Sequence, residues 1–247
     1  MKKVFSLIFT FFVLGINAQN RGFIDEFSFG MNYTLPTAQF YKINKKEKII
    51  SKSIESKYGF SLGLINVVRK TKPLQFIYGI EMNYLSSKYT VDYETPSFDP
   101  NKNKWQEHFI IQDNLIGNLK SVIISIPLLF RLNLINLKNK IPLFFDLGIK
   151  YDFLTVYNSS FEMEYYNYNS TDTYYFKEIS QGETRVYNKR ANLGVNIGIG
   201  TSIKQFSVKI AYTLINDALS TKVLKYYGES DIRLNYVNFS INFKLRK

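Results

Sequence analysis

Residues Arg190–Gly200 read RANLGVNIGIG. From Leu193 the odd positions are Leu193, Val195, Ile197 and Ile199; the even positions are Gly194, Asn196, Gly198 and Gly200. A period of two marks a strand with unlike faces. Here one face wants branched aliphatics and the other has almost no side chain. Neither helical periodicity nor a continuous buried strand gives that pattern.

Seven further segments repeat it. They are Phe27–Tyr33, Tyr58–Leu64, Leu74–Tyr84, Val122–Leu134, Leu143–Phe153, Phe206–Leu214 and Val237–Leu245. In Leu143–Phe153, for example, Phe145, Leu147, Ile149 and Tyr151 alternate with Asp146, Gly148, Lys150 and Asp152. Upstream of the last segment, Ile232, Leu234 and Tyr236 alternate in the opposite phase, which a bulge near Tyr236–Val237 would reconcile. The connections alternate strictly. Those near 69–73, 135–142 and 201–205 are short, whereas Thr34–Lys57, Leu85–Ser121, Leu154–Lys189 and Ile215–Asp231 are long. Short turns therefore close one end of an up-and-down sheet, and both termini lie at that end.

Two arrangements accommodate eight such strands. A soluble barrel or sandwich buries its apolar face; an outer-membrane barrel turns that face to lipid and fills its interior with the polar one. The polar face decides. Gly59, Gly63, Gly79, Gly148, Gly194, Gly198 and Gly200 stand on it, and glycine weakens a water-facing strand. A narrow eight-stranded lumen has little space for side chains, so glycine belongs there. Glu81, Arg131, Asp146, Lys150, Asp152 and Lys209 share this face, and charges of both signs packed across a lumen can pair. With the long-loop end taken as up, Tyr33, Tyr58, Tyr84, Tyr151, Tyr212 and Tyr236 fall near upper strand ends and Phe27, Phe76, Phe206 and Phe243 near lower ends. Two aromatic girdles are expected of a membrane barrel. The reading is all-β: an eight-stranded antiparallel up-and-down transmembrane β-barrel with short periplasmic turns and long extracellular loops.

The rest of the chain agrees. The start, MKKVFSLIFTFFVLGINAQN, has a basic Lys2-Lys3 pair, an apolar Val4–Leu14 run and a small residue at Ala18. It predicts a signal peptide over 1–18, with the barrel domain over 19–247, and the apolar run is too short for a spanning helix. No cysteine is present, so neither disulfides nor a lipidated cysteine enters. Net charge is +12, or +10 without Lys2 and Lys3. The cations are scattered in small clusters beside turns, which suits anionic head groups and not nucleic acid.

At this point the segments resemble a known family. Ser125-Ile126-Pro127-Leu128-Leu129-Phe130-Arg131-Leu132 is similar to an "E-I-P-L-L-L-K-Y" strand of the Bacteroidetes outer-membrane β-barrel domain family, often labelled porin-like or PorT-like. Pro142–Gly148 resembles its "P-Y-x-x-x-G" strand. "ANLGVNIGIGTSI" with "FSVKIAYTLIND", and the closing "NFSINFKL", resemble its last strands, and Asn17-Ala18-Gln19 suits the same phylum. Ser125 stands where an acid is usual, and the chain closes on Lys247, not on an aromatic residue. The resemblance implies an integral outer-membrane barrel and no single activity.

No phosphate loop, metal-spaced His/Cys cluster or G-x-S-x-G elbow is present. No catalytic, metal or cofactor residue is expected, and no cofactor. His108, in KWQEHFII, is the lone histidine and the one candidate for a lipid-modifying reaction. Function is expected in the long loops. Trp105, Tyr165, Tyr166, Tyr168, Tyr174 and Tyr175 are the candidate contacts there, since aromatics among small polar residues suit protein and sugar surfaces. Alternatively, the third loop merely prolongs its hairpin. The expected partners are outer-membrane lipid and lipopolysaccharide, and an extracellular protein or glycan; the expected state is a monomer. A narrow pore or transport-associated barrel is the alternative, followed by a barrel enzyme and a soluble lipocalin-like binder.

Overall fold

Glycine and aliphatic residues take opposite faces because the strands close on themselves. The computed structural model describes residues 24–40, 48–68, 73–99, 104–134, 142–169, 174–188, 192–215, 219–221 and 230–245. Eleven strands form one sheet: β1 (Glu26–Phe40), β2 (Lys48–Ser56), β3 (Tyr58–Val68), β4 (Leu74–Asp99), β5 (Lys104–Leu134), β6 (Leu143–Asn169), β7 (Tyr174–Asn188), β8 (Asn192–Ile203), β9 (Phe206–Ile215), β10 (Leu219–Thr221) and β11 (Ser230–Lys244). Eight of them make an antiparallel ring in the order β1-β3-β4-β5-β6-β8-β9-β11, which β1 closes by pairing with β11 from Glu26↔Lys244 to Phe40↔Ser230. Closure pairs the sheet's edges, as a hydrocarbon environment demands of every backbone polar group.

In β8 the burial alternates residue by residue. Ile199 is 52% exposed while Asn196 is fully buried. The same outward band includes Phe29 and Met31 on β1, Tyr78 and Ile80 on β4, Phe130 and Leu132 on β5, Leu147 and Ile149 on β6, Ile210 and Tyr212 on β9, and Phe239 and Ile241 on β11. So many large apolar side chains around one ring have no aqueous counterpart in soluble monomers. Tyr33 and Tyr58 meet at the upper margin with ring centroids 5.2 Å apart, and Phe206 and Phe243 meet at the lower margin at 5.2 Å.

Three expectations are corrected. First, most of the long connections are strand. β4 runs to Asp99 and β5 starts at Lys104, so Leu85–Ser121 is largely a paired hairpin. β6 and β7 pair from Thr155↔Asn188 to Asn169↔Tyr174, which agrees with the reading that the third loop prolongs its hairpin. β2 likewise lies along β4 above β3, and β10 along β11. One side of the wall thus stands well above the ring.

Second, no bulge occurs at Tyr236–Val237. β11 keeps one register against β1 and against β9 through both residues. Third, Tyr236 does not join the outer girdle: it points inward and is buried, in line with Leu234, Asn238, Ser240 and Asn242. The apparent change of phase is a change of polarity at constant phase. On β4 the inward parity runs Glu81, Asn83 and then Leu85, Ser87, Tyr89, Val91, Tyr93; the outward parity runs Ile80, Met82, Tyr84 and then Ser86, Lys88, Thr90, Asp92, of which Met82 and Ser86 are covered by their neighbours. β5 mirrors it, with Val122 outward giving way to Lys120, Asn118 and Asn114, and Ser125 inward giving way to Ile123, Leu119 and Leu115. Below the tyrosines the wall is apolar outside and, apart from Ile65, Val67, Ile77 and Leu129 at the short-turn end, polar inside. Above them most described outward positions are polar and most inward ones apolar, as suits a water-facing sheet.

A true bulge lies elsewhere. Ile124 faces Leu154 while Ser125 faces Asp152, leaving Phe153 extra on β6. There the inward parity passes from Asp146, Lys150 and Asp152 to Thr155.

Candidate functional site

The interior of the ring is built in layers. At the short-turn end Ile65, Val67, Ile77 and Leu129 form a small apolar cluster. Next to it stands an ionic layer. Arg131 and Asp146 are cross-strand partners on β5 and β6, so the guanidinium meets the carboxylate side on. Arg131 Nε donates to Asp146 Oδ1 at 2.8 Å and Nη2 to Oδ2 at 3.0 Å, a bidentate pair. Lys209 Nζ lies 3.6 Å from Asp146 Oδ2, and Arg131 Nη1 lies 3.9 Å from Glu26 Oε1. The guanidinium also covers the Phe144 ring at 3.9 Å. A Cβ on Gly200 would come within 2.3 Å of Phe144 Cζ, so glycine there makes room for the ring beneath the arginine.

A second pair joins strands that are not neighbours. Lys150 on β6 donates to Glu81 on β4 at 2.5 Å, reaching across β5's inner face, and lies 3.4 Å from Tyr236 Oη on β11. Asp152 is buried on the same face. Each of the six charged residues expected in the lumen points inward and is buried; ion pairs join Glu81, Arg131, Asp146, Lys150 and Lys209, with Glu26 added. Sequence reading passed over Glu26, although it continues the polar parity Glu26, Ser28, Gly30, Asn32. It also omits Phe144 and places Tyr236 in the outer girdle; the inward direction of these two aromatic residues is not announced by their composition.

Amide and hydroxyl groups fill the next level. Asn238 Nδ2 donates to Asn32 Oδ1 at 2.7 Å and lies 2.8 Å from Ser61 Oγ; Asn32 Nδ2 donates to the Phe60 carbonyl at 3.0 Å. Asn196 Nδ2 donates to Thr213 Oγ1 at 2.8 Å. Above them lies the larger apolar cluster of Leu85, Tyr89, Val91, Tyr93, Leu115, Leu119, Ile123, Ile215, Leu234 and Tyr236, which draws on β4, β5, β9 and β11. Tyr89 fits because position 117 is glycine: a Cβ there would lie 2.0 Å from the phenol ring.

A cavity of about 410 Å³ opens at the short-turn end, with Asp25, Gln75, Arg131, Phe144 and Lys244 in its wall. Among the described residues no group of three or more His, Cys, Asp or Glu side chains could hold a metal ion. The backbones at Trp105 and His108 lie in β5, those at Tyr165, Tyr166 and Tyr168 in β6, and those at Tyr174 and Tyr175 in β7. Their side chains lie outside the described residues, as do residues 1–18, where a signal peptide is expected.

Among solved structures the chain is similar to Ail, the attachment invasion locus protein of Yersinia pestis, solved in complex with the heparin analogue sucrose octasulfate. Identity is 10%, 89% of this chain and 99% of that one are covered, and the TM-score is 0.30. It is also similar to OprG from Pseudomonas aeruginosa, at 10% identity over 90% of this chain and 97% of that one, with a TM-score of 0.37. No match is found among curated proteins. The family model described as "Outer membrane protein beta-barrel domain" matches residues 17–217. The closed antiparallel ring with an apolar exterior agrees with that description, and the chain belongs to the outer-membrane protein β-barrel domain family.

Proposed function

We propose that the protein is an integral outer-membrane barrel of structural or surface-interaction type, with no conductance and no catalytic step. The observation that carries this reading is the filled interior. The Arg131–Asp146 pair is buried on the lumen wall, Lys150–Glu81 and Arg131–Glu26 reach between strands that are not neighbours, and an apolar cluster with several fully buried side chains lies above them. Ions crossing such a barrel would have to break buried charge pairs and then wet a hydrocarbon plug, each costly. The tall β4–β7 side of the wall is then the part that meets the outside. It faces the medium and carries Trp105, Tyr165, Tyr166, Tyr168, Tyr174 and Tyr175 toward an extracellular protein or glycan. The short turns lie in the periplasm, export uses the 1–18 signal peptide, and the chain is monomeric. The strand resemblances support a place among the porin-like, PorT-like barrels of Bacteroidetes.

The test is purified protein in planar bilayers. The proposal expects no conductance steps; stable, reproducible steps would overturn it and favour the narrow-pore or transport-associated alternative, for which the cavity at the short-turn end speaks. Catalysis is tested apart from this. His108→Ala should leave lipid A acylation unchanged, and a loss of acylation would count against the non-enzymatic reading.

A further inference from the structure

The polarity change leaves one feature on the lipid boundary that closure of the barrel does not use. Lys57 lies between β2 and β3, Lys88 on β4 and Lys120 on β5. In register Lys88 faces Asn118 and Ser86 faces Lys120. Lys57 Nζ donates to Asn118 Oδ1 at 3.3 Å, so its side chain reaches across β4 to β5. The three lysines therefore share a patch two strand spacings wide, roughly 10 Å. Lys88 and Lys120 have outward parity, and Lys120 is exposed. Glu55 faces Lys88 across β2 and β4 and offsets one of the three charges.

The patch stands at a particular height. Tyr58 adjoins Lys57 and is 67% exposed. Tyr84, stacked on Phe60 at 5.4 Å, lies on the outward face two rungs below Lys88. Tyrosines of this kind sit at the head-group level of a bilayer. The lysines above them are thus in the layer that holds lipid phosphate, with an exposed phenol ring as a floor.

We infer that Lys57, Lys88 and Lys120 bind the phosphate groups of a phosphorylated glycolipid in the outer leaflet, with Tyr58 beneath its sugar. A lipid phosphate presents charged acceptor oxygens, and an ammonium group with three donors can bridge two of them. The assignment rests on the reading that the tall end faces the cell surface. Its test does not, because binding is measured outside the membrane.

The experiment titrates folded protein in a neutral detergent with bisphosphorylated lipid A and reads bound lipid by native mass spectrometry. A lysine near an anionic lipid surface contributes enough that removing three should weaken binding on the order of a hundredfold. The K57Q/K88Q/K120Q variant should show that loss, whereas K48Q/K52Q, higher on β2, should stay within about threefold. Dephosphorylated lipid A should bind the native protein as weakly as phosphatidylcholine does. Equal binding by the triple variant, or indifference to the phosphates, overturns the site. Phosphatidylglycerol binding as tightly as lipid A overturns the glycolipid assignment. If the triple variant does not fold, the exposed Lys120→Gln alone should weaken binding about fivefold. Failure of the orientation reading would appear separately, as protection of the β6–β7 hairpin from protease on intact cells.

Discussion

Arg131→Met removes the cation that holds Asp146. Asp146 is fully buried and receives two guanidinium hydrogen bonds, at 2.8 and 3.0 Å. Methionine fills much of the arginine's volume and keeps contact with Phe144, so the change isolates charge from packing. Removing one partner of a buried pair costs about 3–5 kcal/mol, because the other charge stays buried. Lys209 remains 3.6 Å from the carboxylate, so the expected loss lies at the low end, about 3 kcal/mol. Adding Asp146→Asn removes the stranded charge and should restore about half of that loss. The assay is equilibrium urea unfolding in lipid vesicles, followed by far-UV circular dichroism and by the mobility of unheated protein on SDS gels. A single variant within about 0.5 kcal/mol of the native protein would refute the reasoning, since that is the scale of an ordinary solvated substitution. A double variant as unstable as the sum of its parts would refute the coupling.

Two other changes address the packing of the interior. Gly117→Ala places a methyl group on the Tyr89 ring and should cost about 1–3 kcal/mol by overpacking. Tyr89→Leu in the same chain should recover most of it, as measured by the same urea titration. Asn238→Ala leaves Asn32 Oδ1 and Ser61 Oγ without their shared donor; a loss of about 1–3 kcal/mol is expected, and no loss would mean that water replaces the amide.

How much of this was legible follows from where the solvent changes. Inside the membrane the alternation is clean, and the short-turn ends of the eight ring strands can be read within a few residues. Arg131 and Asp146 were readable even as a pair, since they lie symmetrically about the short β5–β6 turn, as Leu134 and Leu143 do. Lys150 and Glu81 were not, because β5 stands between their strands and only the curvature of the closed wall brings them together. Above the tyrosines the pattern reverses polarity. A search for aliphatics on the lipid-facing parity therefore ends at Tyr84 and Val122, though the backbone pairs on to Asp99 and Lys104. The same reversal made Leu234 and Tyr236 look out of phase, and a bulge was expected where none exists. The bulge at Phe153 left no mark, because Asp152 and Thr155 are both polar and Phe153 suits an outward position.

The central claim is that the outward face meets hydrocarbon from Phe130 to Val122 and water from Lys120 upward, with no break in phase. The chain has no cysteine, so single cysteines at Phe130, Leu128, Ile126, Ile124, Val122, Lys120 and Asn118 can carry a nitroxide in reconstituted vesicles without background. Their collision rates with oxygen and with a water-soluble nickel chelate measure the solvent at each position. The account predicts that oxygen dominates at the first five positions and the chelate at the last two, while a label at Leu119, on the inner face, reaches neither. Chelate access at Ile124, Ile126 and Leu128 equal to that at Lys120 would contradict it.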